Sequence, residues 1–121
     1  MRKAYLALSW GIILLGLVHM SATMRISPTL TSSAVWFFSG GLAMVLTGAL
    51  NLLHWTYGGV AVGVRRVSIA ANVVMTGFAL TAGLVGKANL GELLVIVGLV
   101  AGTTVLSLLP RSLTLPAPGA A

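Results

Sequence analysis

Four apolar stretches, at residues 4–23, 33–55, 67–86 and 90–109, make up most of the 121-residue chain, and Glu92 is the only charged side chain inside any of them. Each is close to the ~20 residues that an α-helix needs to cross a ~30 Å hydrocarbon core. Such runs leave few alternatives. Lipid offers no hydrogen bonds, so backbone N–H and C=O groups must be satisfied within the segment, and a helix does this. The expected fold class is an all-α integral membrane protein, a four-helix transmembrane bundle. A mean hydropathy of +1.07 with only 7% charged residues agrees, since soluble domains carry roughly 25%.

The seven basic residues and one acid give a net charge of +6, a balance that elsewhere suggests nucleic acid. Position decides against that partner. Arg2, Lys3, Arg25, Arg65, Arg66, Lys87 and Arg111 stand at the ends of apolar runs or between them, and form no continuous basic stripe. They read as topology signals. The N-terminus, the second loop and the C-terminal end hold all of them except Arg25 and Lys87. Basic residues stay inside, which places both termini in the cytoplasm (N-in/C-in), as an even number of spans allows. The expected location is the plasma (inner) membrane, crossed several times.

Residues 1–111 form one expected domain, and 112–121, with Pro116 and Pro118, an expected disordered tail. Met1-Arg2-Lys3 ahead of an apolar run also fits a secretory signal. A spanning helix fits better, because Met20-Ser21-Ala22 is a poor cleavage site. Pro28 and the Ser/Thr-rich segment after it mark the first loop, Gly58-Gly59 end helix two, Arg65-Arg66 mark the next boundary, and Pro110-Arg111 stop helix four. His54, Trp55 and Tyr57 are expected in an interfacial aromatic belt. Ala7/Gly11 and Gly98/Gly102 are small-xxx-small pairs that permit close helix approach.

Rise per residue converts sequence position into depth. His19 falls roughly 8 Å outward of its helix midpoint, and Trp36 and Glu92 roughly 11 Å outward of theirs. Asn51 and Asn72 fall roughly 11 and 7 Å to the cytoplasmic side. Two polar levels result, one outer and ionisable, one inner and neutral. An ionisable group within a span is a functional candidate, because its burial is costly without a partner. The outer level therefore gives the candidate ligand-binding residues His19, Trp36, Phe37 and Glu92, with His19 and Glu92 able to share a proton. A structural role competes: Asn89-Leu90-Gly91-Glu92 is close to a capping box, in which Glu92 would serve backbone amides. The inner level gives Asn51 and Asn72 as a structural polar pair locking helices two and three.

Several chemistries lack their residues. Without cysteine there is no disulfide, thiolate nucleophile or iron–sulfur site. One Glu, no Asp and two His residues near opposite faces of the bilayer make neither an ordinary metal site nor a catalytic acid pair. No cofactor, metal or enzymatic activity is expected. The drug-exporting small multidrug transporters share the length, but their membrane-embedded acidic residue sits in the first helix, where this chain has none. The first functional expectation is binding or transport of a lipophilic or cationic small molecule in an outer-leaflet pocket. The alternative is a non-catalytic accessory or assembly subunit, as a homo-oligomer or within a larger membrane complex.

Overall fold

The computed structural model describes residues 2–109, in which the chain forms four helices. They are α1 (Arg2–Ile26), α2 (Ser32–Tyr57), α3 (Val62–Val85) and α4 (Leu90–Leu108). The expected Pro110-Arg111 stop and the tail at 112–121 lie outside the described residues. All four helices are long and apolar enough to cross a membrane. The shortest has 19 residues and so extends roughly 28 Å.

Burial indicates which solvent this fold suits. Ser9, Asn51, Ser68, Asn72, Thr103 and Ser107 are buried, while Leu14, Leu46, Val74 and Leu94 are among many large apolar side chains that point outward. In water this would expose an untenable apolar surface. In lipid it is what the physics requires, with polar groups paired internally and hydrocarbon outside. The buried hydroxyls follow the same rule: Ser9, Thr47 and Thr103 donate to the carbonyls of Tyr5, Ala43 and Leu99 at 2.7, 2.8 and 2.7 Å. The four membrane-capable helices and their apolar exteriors point to a multi-pass membrane protein.

Each helix packs against its neighbours in sequence, and α4 closes on α1. The closest pair is α1 and α2, and glycines make the approach. A Cβ on Gly16 would stand 2.7 Å from the Gly41 carbonyl oxygen, and one on Gly48 would stand 2.9 Å from that of Ser9. This relocates the expected contacts. Gly98 has open space around it, and Gly11 and Gly102 meet only the side chains of Leu99 and Leu8. The small-xxx-small spacing occurs in the chain, but the tight backbone approach uses other glycines.

Local signals set the helix ends. Thr31 caps α2 by accepting from the Ala34 N–H at 3.2 Å, and Gly58 ends it. α3 then begins at Val62, earlier than the expected 67, so Arg65 and Arg66 lie within the helix instead of ahead of it. The connection needs only a short turn, and long arginine stems let the charges reach the headgroup level from inside a helix. At the opposite end Lys87 takes the left-handed conformation, with φ 53°. The Ala88 N–H reaches back to the Gly83 carbonyl at 2.9 Å there, which turns the chain sharply into α4.

Candidate functional site

The half of the bundle nearer the α2–α3 turn is a polar clasp. Asn51 on α2 and Asn72 on α3 exchange amide hydrogen bonds of 2.9 and 2.8 Å, Nδ2 to Oδ1 in each direction. Both side chains are fully buried. Ser68 Oγ donates to the Leu50 carbonyl at 3.1 Å, a second bond between the same helices. Tyr5 brings α1 into the group: its hydroxyl lies 2.9 Å from Asn51 Oδ1 and 2.9 Å from His54 Nδ1. A phenol has one hydrogen to give. With it on Asn51, His54 carries its proton on Nδ1 and donates to the Tyr5 oxygen.

His54 departs from expectation. It is 1% exposed and meets Tyr5 edge-on, so it belongs to the interior and not to an interfacial belt. Its Nε2 is buried without a hydrogen-bond partner. The ring folds over Gly58, where any Cβ would collide with it. Depth alone suggested an interfacial position. The helical face places it inside, because Thr47, Asn51 and His54 are spaced i, i+4, i+7 and share one side of α2. Tyr5, Ser9, Ile12 and Gly16 form the matching face of α1, and all four are buried. That periodicity is the signal by which Tyr5 and His54 could have been found.

The half nearer the α3–α4 turn opens. Between the helices lies a half-open cleft of about 820 Å³, to which all four contribute: Leu15 and His19 from α1, Trp36, Phe37, Gly40 and Met44 from α2, Met75, Phe78 and Ala79 from α3, and Glu92, Leu93 and Ile96 from α4. Met44 and Met75 form its floor and belong, with Ile12 and Val100, to the buried apolar core below. The His19 ring stacks on Phe37, with centroids 3.8 Å apart and planes at 26°. Gly40 keeps the wall low beside them, since a Cβ there would reach 3.7 Å from His19 Nε2 and 3.9 Å from the Phe78 ring. A smaller cavity of about 360 Å³, at the α1–α2 loop, has no ionisable side chain in its lining.

His19, Trp36, Phe37 and Glu92 therefore line one cleft, but in different ways. His19 and Phe37 form part of the wall. Trp36 is 73% exposed and stands at the rim. Glu92 is also exposed, and its carboxylate is engaged: Oε2 accepts from the Asn89 N–H at 3.2 Å, while Asn89 Oδ1 accepts from the Glu92 N–H at 2.9 Å. This is the complete capping box. The expected proton sharing between His19 and Glu92 is not made, because the cap turns the carboxylate back onto the start of α4. One carboxylate oxygen still leaves a negative charge at the mouth of the cleft. No family model, curated protein or solved structure matches the chain.

Proposed function

We propose that the protein binds, and carries across the plasma membrane, a lipophilic or cationic small molecule held in the outer-half cleft. One observation carries this reading. The only acidic side chain of a strongly basic chain stands on a cleft of about 820 Å³ that is otherwise mainly apolar and aromatic. Ligand pockets of a few hundred cubic ångströms, mostly apolar with a few convergent polar groups, share this composition. Trp36 and Phe78 add aromatic rings to the lining, a surface that attracts cations, and Glu92 offers the counter-charge. No bond-making chemistry enters this reading, which is of a binding and transport protein.

The chemistry of Glu92 makes the test selective. A capping box accepts Gln as well as Glu at this position, so Glu92→Gln removes the charge and keeps the cap. Binding of a tetraphenylphosphonium probe to protein in nanodiscs should weaken in Glu92→Gln by up to about five-fold, the ceiling for an exposed ion pair. His19→Ala, which removes one stacked wall, should weaken it further. Equal binding in both variants and the parent, with helicity intact, would reject the cleft as the site. Both termini are assigned to the cytoplasm by the basic residues at Arg2, Lys3, Arg65 and Arg66. A reporter fused after Ala121 should read cytoplasmic, and a signal from the other side would reverse the orientation.

A further inference from the structure

We propose that the end of the bundle carrying Arg2, Lys3, Arg65 and Arg66 is a binding face for the phosphate headgroups of anionic phospholipids. The antiparallel arrangement brings these four cations to one end. Arg2 and Lys3 open α1, and Arg65 and Arg66 lie in the first turns of α3. The chain has a single acidic side chain, and Glu92 caps α4 at the opposite end. No carboxylate side chain is left to pair with the four cations, which leaves them open to anions from outside the protein.

The helices deepen the imbalance. α1 and α3 both begin here, with no acidic residue in either first turn, and the α3 N-cap Ala61 makes no side-chain hydrogen bond. A helix N-terminus carries partial positive charge and is destabilised by adjacent cations, so the two effects add, and an anion relieves both. Arg2 is held at this level by Trp55, its guanidinium 4.8 Å from the ring centroid. Lys3 and Arg66 are exposed. These residues stand at the starts of bilayer-length helices, so the nearest anions are lipid phosphates, whose oxygens suit the forked donors of arginine. The opposite end carries Arg25, Lys87 and Glu92 and lacks this excess.

The test uses Trp55 as a local reporter. A Trp10→Phe/Trp36→Phe protein leaves it as the only tryptophan, and it is reconstituted into phosphatidylcholine vesicles. Brominated phosphatidylglycerol or brominated phosphatidylcholine is then titrated in as quencher. Phosphatidylglycerol should quench Trp55 at several-fold lower mole fraction. That preference should fall by about half in Arg66→Gln and to near parity in Arg2→Gln/Lys3→Gln, each of which removes part of the same surface charge. It should also shrink from 0.1 M to 1 M salt, as the screening length drops from ~10 to ~3 Å. Arg25→Gln/Lys87→Gln should leave it unchanged. Circular dichroism confirms that each variant is helical before it is scored. Equal quenching by the two lipids overturns the proposal, as does a preference that survives both inner-end variants or falls as much in the outer-end one.

Discussion

Replacing Asn51 with leucine is expected to cost about 2–3 kcal/mol of stability, the largest loss available from one polar side chain in this bundle. Asn51 accepts from Tyr5 and Asn72 and donates to Asn72. Leucine removes all three bonds at once. Tyr5 can then donate to His54 only if the imidazole moves its proton from Nδ1 to Nε2, and both ends of the buried Asn72 amide are left bare. Asn72→Leu should cost somewhat less, because Asn51 then keeps the Tyr5 bond. The double variant Asn51→Leu/Asn72→Leu should lose less than the sum of the two, since removing both partners leaves no orphaned amide. The measurement is unfolding of the protein from mixed micelles by increasing dodecyl sulfate, followed by helicity. Additive losses would mean that the two amides do not act as a pair.

The second large effect is steric. Gly41→Ala places a Cβ 2.7 Å from Met20 Cγ and 2.8 Å from the Gly16 carbonyl oxygen. The methionine side chain can move, but the backbone of α1 cannot do so cheaply. Overpacking of this kind costs about 1–3 kcal/mol. Because Phe37 lies one turn before Gly41, pushing α2 away from α1 should also loosen the His19–Phe37 stack and reduce binding in the cleft. Gly98→Ala supplies the contrast: its Cβ would meet nothing within 4 Å, and alanine favours a helix by about 1 kcal/mol over glycine. In the same unfolding assay, Gly98→Ala should unfold at or above the parent midpoint and Gly41→Ala below it. The reverse order would place the close helix contact elsewhere.

The number of helices was legible because bilayer thickness acts on composition alone, and the apolar runs answer that constraint directly. Their boundaries were less so. Arg65 and Arg66 look like a boundary in sequence, yet long basic side chains can leave a helix that has already begun. Depth arithmetic brought His19, Trp36 and Glu92 to one level, and the structure sets them around one cleft. What depth does not carry is direction around the helix axis. That is why Trp36 is outward at the rim, why Glu92 bends back to its cap, why Tyr5 went unnoticed and why His54 was assigned to the interface. Aromatic and imidazole rings near the end of a span fit the interface and the interior equally well until the face they occupy is followed turn by turn.

The placement of the Asn51–Asn72 pair has a mechanical consequence. α2 and α3 are fastened near one end, and the cleft between them lies toward the other, so the pair acts as a fulcrum with the closely packed α1–α2 hairpin as its lever. From Asn51 to Trp36 the arm is roughly 22 Å. Over such an arm a tilt of about 5° displaces the rim by about 2 Å, more than a carbon–carbon bond length, while the amides at the pivot barely move. A tilt of this kind would change the aperture beside Trp36 while the Asn51–Asn72 bonds stay close to its axis.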